Sequence, residues 1–260
     1  MMDDFSQRLA LKQKIISGKP VLGLFIKTPS AHVVELLENS GFDFLVFDAE
    51  HGPFSIDALD HCILAARSVG IQSLVRVDCI ESSLIQTVLD MGASGIIVPH
   101  IRTPDDARCA VASSRYFGGS RGFSASHRAA RYGQMSLDTY RKSSDESVIV
   151  IGQIEDSIAL DFVGKISTVE GIDALFVGRA DLAISRGLTD VNSKTIQNDV
   201  NTIYEKCIQA DRRIGLFLSS LQSVKEQQMK GVSVFFIGSD QSLLQSAAAQ
   251  LAEEFINRTS

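Results

Sequence analysis

The sequence predicts an α/β fold, a (β/α)8 TIM barrel, with residues 1–260 forming one domain. Three observations predict it. Short apolar runs recur eight times along the chain at a near-regular interval. Each run is β-branched or aromatic and almost unbroken, the pattern of a strand buried on both faces in a parallel sheet. Stretches of helical periodicity separate most of the runs, and several close on a glycine where a helix C-cap belongs. Composition agrees: 45% apolar and 22% charged residues are ordinary globular values, and 260 residues can bury a sizeable core.

In order, VLGLF (21–25) opens the series and AHVVELLENSG (31–41) follows with helical spacing. FLVFDAE (44–50) precedes IDALDHCILAARSVG (56–70), and SLVRV (73–77) precedes ESSLIQTVLDMG (81–92). GIIVP (95–99) is the fourth strand. The fifth, VIVIGQIE (148–155), leads into SIALDFVGKISTVEG (157–171). ALFVG (174–178), RIGLFL (213–218) and VSVFFIGSD (232–240) complete the set, with LQSVKEQQMKG (221–231) before the last. The main departure is an insertion over 112–147, between strands 4 and 5. Its YFGGSRGFSASHRAARYG segment (116–133) is expected to be a long loop or lid, with a short helix after it. A doubly wound sheet is the competing architecture, but no GxGxxG opens the first helix and eight regular strands exceed its needs.

Charge and cysteine usage exclude several function classes. The formal net charge is −6 and no Lys/Arg run resembles a nucleic-acid footprint. Cys62, Cys79, Cys109 and Cys207 are widely spaced, without CxxC, which points to free thiols in a reducing compartment. The N-terminal MMDDFSQRLALKQKII is charged and lacks a signal-peptide apolar region. No apolar run approaches the roughly 20 residues of a spanning helix. A cytoplasmic protein without nucleic-acid or membrane partners is expected.

The active site of such a barrel lies at the C-terminal ends of its strands. Strand 2 delivers Asp48, Glu50 and His51 there, and strand 3 delivers Arg76 from inside LVRV. Strand 4 ends in Pro99 and His100, strand 5 in Gln153 and Glu155, and strand 6 in Gly178, Arg179 and Asp181. An arginine among Leu74, Val75 and Val77 needs an anionic partner. Either it is a structural pair with Asp48 or Asp90, or it is a fork for a substrate carboxylate. Glu155 and Asp181 repel unless a cation relieves them, and carboxylates suit hard divalent ions. Helix capping is the other reading for Asp181. His51, with Asp48 before it, is a candidate general base, or alternatively a solvated loop histidine. Together these groups suit chemistry alpha to the carbonyl of a small 2-oxo acid. Lysine is poorly placed for a Schiff base: only Lys27 lies close to a strand end.

These residues resemble the HpcH/HpaI aldolase family, the metal-dependent class II pyruvate aldolases. The resemblance runs through GKPVLGLFIKTPS (18–30), GFDFLVFDAEHGPFS (41–55), VLDMGASGIIVPHIRTPDDA (88–107), IGQIED (151–156), EGIDALFVGRADLAISRG (170–187) and GVSVFFIGSDQSLL (231–244). It implies a phosphoenolpyruvate/pyruvate-type barrel that cleaves a 4-hydroxy-2-oxo acid to pyruvate and an aldehyde. Substrates of relatives include 4-hydroxy-2-oxoheptanedioate, 2-dehydro-3-deoxyglucarate and 2-keto-3-deoxy-rhamnonate. Carried onto this sequence, His51 is the acid/base, with Asp48 and Asp90 orienting it. Arg76 contacts the pyruvyl group and the reacting oxygen. Glu155 and Asp181 bind Mg²⁺, Mn²⁺ or Co²⁺, Gln153 faces the substrate, and backbone N–H groups of Ala180 and Asp181 hold its carboxylate. A homo-hexamer is implied, with the last helix packed on a neighbouring subunit. Two positions depart from the family pattern: Arg179 stands where G-P-A-D-L has proline, and His100 where methionine or lysine is common. Citryl- or malyl-CoA lyase activity is one alternative, and a non-catalytic carboxylate-binding barrel is another.

Overall fold

A computed structural model describes residues 4–80 and 82–259. The strands are β1 (Val21–Ile26), β2 (Phe44–Asp48), β3 (Gln72–Arg76), β4 (Gly95–Val98), β5 (Ile149–Ile154), β6 (Ala174–Val177), β7 (Arg213–Leu218) and β8 (Val232–Ser239). All neighbours pair in parallel, and β8 returns to β1 to close the barrel. The helices are α1 (Asp4–Ile16), α2 (Ala31–Glu35), α3 (Ile56–Ser68), α4 (Ser82–Met91), α5 (Pro104–Ser114), α6 (Leu137–Ser147), α7 (Val163–Ser167), α8 (Arg179–Ser185), α9 (Lys194–Gln209), α10 (Val224–Met229) and α11 (Asp240–Thr259). None of the described helices is long and apolar enough to cross a membrane.

Side-chain alternation explains why the strand runs read as continuously apolar. Leu45, Phe47, Val75, Val150 and Leu175 pack outward against the helical layer. Phe44, Val46, Leu74, Ile149, Ile151 and Phe176 fill the interior. Within it the rings of Phe176 and Phe236 lie 4.6 Å apart, and those of Phe25 and Phe236 lie 5.5 Å apart. From below, Leu11 and Ile15 of α1 join the same interior cluster and plug the barrel.

Several helical stretches are shorter than their periodicity suggests. The 31–41 run is helical only over Ala31–Glu35, and Asn39 takes a left-handed φ of 59° after it. The 157–171 run splits into a 3-10 turn, Ser157–Asp161, and α7. Asp156 makes no capping bond to that turn, because its carboxylate is engaged by His100 and Arg102.

The 112–147 insertion docks on the helical layer. Arg121 donates to Asp90 of α4 at 2.6 Å, and Arg128 forks onto Asp60 of α3 with two contacts of 2.7 Å. Tyr140 of α6 packs against Phe5 of α1. At the barrel seam, Asp240 accepts the backbone N–H groups of Lys27 and Thr28 at 2.9 and 3.0 Å, stapling the end of β8 to the end of β1.

Gly95 marks the tightest strand contact: a Cβ there would lie 2.1 Å from the Ile149 carbonyl oxygen. Gly95→Ala must therefore push β4 and β5 apart, at a cost of about 3 kcal/mol. Gly164 in α7 is the control, since the nearest atom to its Cβ would be a lysine methylene at 3.5 Å. Gly164→Ala should be neutral or stabilising by up to about 1 kcal/mol. Urea unfolding of both variants checks the contrast.

Candidate metal and active site

The inward alternation of each strand continues past the apolar interior to its C-terminal end. Asp48 follows Val46 on β2, Arg76 follows Leu74 on β3, and Gln153 follows Ile151 on β5. Register sets Asp48 directly beside Arg76. The Arg76 Nε and Nη2 donate to the two Asp48 oxygens at 2.9 and 2.7 Å, with Asp48 fully buried and Arg76 6% exposed. The guanidinium also lies 5.0 Å from the Phe25 ring centroid. Of the partners open to Arg76 from the sequence, Asp48 is the one the fold supplies. Burial would raise the Asp48 pKa, but the Arg76 pair outweighs it and holds the carboxyl below the usual range. Asp48 also accepts the His51 backbone N–H at 3.2 Å, so the contact shown is with the main chain of His51 and not with its ring.

Next to this pair, Glu50, His100 and Glu155 each bring one ligand atom within 4.8 Å of the others. Arg76 Nη1 reaches Glu50 Oε2 at 3.3 Å. The His100 N–H donates to Glu155 Oε1 at 2.9 Å, and its ring stands with Nδ1 2.9 Å from Asp156 Oδ2 and Nε2 3.9 Å from Glu50 Oε1. Gln153 Nε2 donates to the other Glu155 oxygen. Burial raises the pKa of both Glu50 and Glu155, with the Asp48 charge adding to the rise at Glu50 and the Glu50 charge adding to it at Glu155. Glu50 Oε2 and Gln153 Oε1 are buried atoms that accept no hydrogen bond. Two carboxylates reluctant to ionise beside an imidazole are a donor set that fits a divalent cation.

A cavity of about 380 Å³ opens beside the triad. Arg76 and Gln153 line it on the triad side, Arg179, Ala180 and Asp181 on the other, and Phe25, Phe176 and Phe217 give it an apolar wall. Gly178 makes the close approach possible: a Cβ there would lie 2.8 Å from the Glu155 Cβ and 3.0 Å from its Oε2. The chain therefore turns into α8 tight against Glu155, which brings Asp181 to the cavity. Asp181 is not among the groups that converge on Glu50 and His100.

Other expected site residues lie elsewhere. Asp90 ends α4 near the bottom of the barrel, where it pairs with Arg121 and stands 3.4 Å from the His127 Nε2. The chain does not bring it to His51. Arg121 is buried in that network and does not line the cavity. His51 sits at the rim, its side chain 53% exposed and its Nε2 3.9 Å from Glu50. Glu50 and His100, placed at strand ends by the sequence but given no ligand role there, are central to the donor cluster. The available signal for His100 was its place at a strand end, after Pro99.

Breaking the Asp48–Arg76 pair leaves a buried guanidinium with its forked partner gone and only the longer Glu50 contact opposite it. Asp48→Asn should cost about 3 kcal/mol in urea unfolding at neutral pH. Because the folded pKa of Asp48 is depressed, the pair stabilises above the unfolded carboxylate pKa of about 3.9. That stability is lost as pH falls through the folded value, so wild type and variant should converge in acid.

Comparison with known proteins matches this geometry. Residues 21–247 match the family model of HpcH/HpaI aldolase/citrate lyase. The 2-keto-3-deoxy-L-rhamnonate aldolase of Escherichia coli O157:H7 is 32% identical over 243 residues, covering 92% of this chain and 90% of that protein. A 2-dehydro-3,6-dideoxy-6-sulfogluconate aldolase of Pseudomonas putida is 33% identical over 232 residues, covering 88% and 90%. Among solved structures, an HpcH/HpaI aldolase/citrate lyase family protein from Burkholderia cenocepacia J2315 superposes with a TM-score of 0.90 at 30% identity, covering 95% and 98%. The citrate synthase SbnG gives 0.86 at 29%, covering 97% and 100%. With its closed parallel barrel and Glu50–His100–Glu155 cluster, the chain belongs to the HpcH/HpaI aldolase/citrate lyase family and is a metal-dependent class II aldolase/lyase.

Proposed function

We propose that the chain catalyses reversible cleavage of a 4-hydroxy-2-oxo acid to pyruvate and an aldehyde. The observation that carries the reading is the small cavity joining Arg76, Gln153 and the start of α8 to the Glu155 cluster. Glu155 and Asp181 would hold Mg²⁺, Mn²⁺ or Co²⁺ beside Glu50 and His100. A divalent cation bound there supplies Lewis-acid polarisation of the 2-oxo oxygen.

The chain's own residues do the rest. The N–H groups of Ala180 and Asp181 stand in the first turn of α8, where helix geometry leaves them without an intrahelical acceptor, and they receive the 1-carboxylate. Gln153 Oε1, buried without a donor, takes up a substrate hydroxyl. Arg76 keeps two of its nitrogens on Asp48, and Nη1, held 3.3 Å from Glu50 Oε2 where Arg76 lines the cavity, is the nitrogen left to stabilise oxygen charge that develops in the reaction. His51, at the rim, takes the proton of the 4-hydroxyl. As that proton leaves, the O–H electron pair becomes the second bond of the C4 aldehyde carbonyl. The C3–C4 bond breaks, and its electron pair moves into the C2–C3 enolate. Protonation at C3 gives pyruvate, and the reverse order condenses pyruvate with an aldehyde.

Arg179 and Lys27 face the cavity, so an aldehyde with an anionic or heavily hydroxylated distal group suits it best. The sulfo-sugar acid named for the Pseudomonas putida relative is of that kind. Citrate lyase β subunit, a relative relevant to the acyl-CoA alternative, is 12% identical with a TM-score of 0.56, a likeness of fold alone. Four cysteines that are all free thiols support a cytoplasmic enzyme. The proposed hexamer rests on α11, which buries no residue within the chain and exposes Leu244, Leu251 and Phe255.

Pyruvate release over a panel of 4-hydroxy-2-oxo acids, with and without divalent ions, tests the reaction. Glu155→Ala should abolish turnover, and His51→Ala should lower kcat by about 10²–10⁴-fold. Full turnover after chelation sinks the reading. Light scattering tests the assembly: the double variant Leu251→Asp, Phe255→Asp should fall below hexamer mass.

A further inference from the structure

We propose that His100 ligates the metal through Nε2, with Asp156 as its positioning residue, and that this nitrogen makes the site favour Co²⁺ and Mn²⁺ over Mg²⁺. The inference rests on the reading that Glu155 and Asp181 hold a divalent cation, to which Glu50 and His100 each bring a ligand atom within 4.8 Å of Glu155.

The ring's orientation argues for the nitrogen. A metal-bound histidine almost always gives its second N–H to a carboxylate or carbonyl, which fixes the tautomer and turns the other nitrogen to the ion. His100 has that partner: Nδ1 lies 2.9 Å from Asp156 Oδ2, closer than its 3.4 Å approach to Glu155 Oε1. Arg102 donates from Nε to the same Asp156 oxygen at 3.0 Å, holding the carboxylate in place. With the proton on Nδ1, the lone pair is on Nε2, which faces Glu50 Oε1 at 3.9 Å. Two donors that each sit about 2.1 Å from one ion lie at most about 4.2 Å apart, so this spacing fits a shared cation. It is too long for a hydrogen bond between them.

The backbone gives a second argument. His100 has a φ of 54°, a left-handed conformation that a residue with a Cβ rarely adopts. That conformation turns its N–H onto Glu155 Oε1 at 2.9 Å while the ring reaches Glu50. Strained backbone of this kind gathers at ligand clamps. The Gln153 amide is an independent sign of a ligand: the side chain is 1% exposed, lines the cavity, and leaves Oε1 unpartnered. Imidazole favours later first-row ions, whereas Mg²⁺ takes oxygen almost exclusively.

The test reads metal binding and not turnover. Wild-type protein loaded with Mn²⁺ should show ¹⁴N coupling from a directly bound imidazole in pulsed electron paramagnetic resonance. His100→Asn should erase it, and His51→Asn should not. Asparagine tolerates a left-handed backbone and preserves the N–H to Glu155. By calorimetry, His100→Asn should weaken Co²⁺ at least tenfold more than Mg²⁺. Asp156→Asn should weaken Co²⁺ by about 10–100-fold while the nitrogen signal persists, and it keeps the question open to measurement if His100→Asn does not fold. Ions bound without a nitrogen ligand, or equal losses for Co²⁺ and Mg²⁺ in His100→Asn, overturn the role of His100 and leave the aldolase reading standing. A wild-type protein that binds none of the three ions overturns both.

Discussion

Asp48 and Arg76 stand opposite each other at the top of a barrel interior that is otherwise phenylalanine and aliphatic side chains. Neither charge is affordable there alone. Paired at two points, they form a polar floor on which the rest of the mouth is built. Asp48 anchors the His51 main chain, and Arg76 reaches across to Glu50. Glu50 in turn meets His100, and His100 meets Glu155. Apart from the Asp48–His51 bond, which stays at the end of β2, each contact ties the end of one strand to the end of another. The ion pair contributes little net stability by the usual balance of desolvation and attraction, but through Arg76 it holds the Glu50 carboxylate in place.

Above that floor the site divides by polarity. The triad side holds carboxylates, imidazole and amide, while the facing wall is Phe25, Phe176 and Phe217 with the cations of Lys27 and Arg179. A small oxygen-rich acid can place its chelating end against the first and its chain along the second. Apolar walls also lower the local dielectric, which strengthens the pull of Arg76 on developing negative charge.

The barrel was legible because its strands are buried on both faces, so runs such as FLVF and GIIV carry no ambiguity with a surface element. Helices were less so. Asp156 stands just ahead of the 157–171 helical stretch, but its tertiary partners His100 and Arg102 claim the carboxylate, and the helix forms only after a 3-10 turn. Residues one strand apart were also readable, as with Arg76 and Asp48, because parallel register places them side by side. Groups meeting across non-adjacent strands were not. Glu50 and Glu155 are separated by β3 and β4, and nothing local announces that they converge. Asp90 was named through the family resemblance and not through any local pattern; near the end of α4 it pairs with Arg121, a partner more than thirty positions away that no local signal announces.

The Asp240 staple has a consequence for how the chain is made. Lys27 and Thr28 must wait for a carboxylate more than two hundred positions later, so the seam between the first and last strands is among the longest-range contacts in the molecule. A ribosome delivers β1 long before β8. Until then the growing sheet has two open edges, each with unpaired backbone groups that neighbouring nascent chains can capture. The barrel of this protein can therefore close only once the last strand has been made.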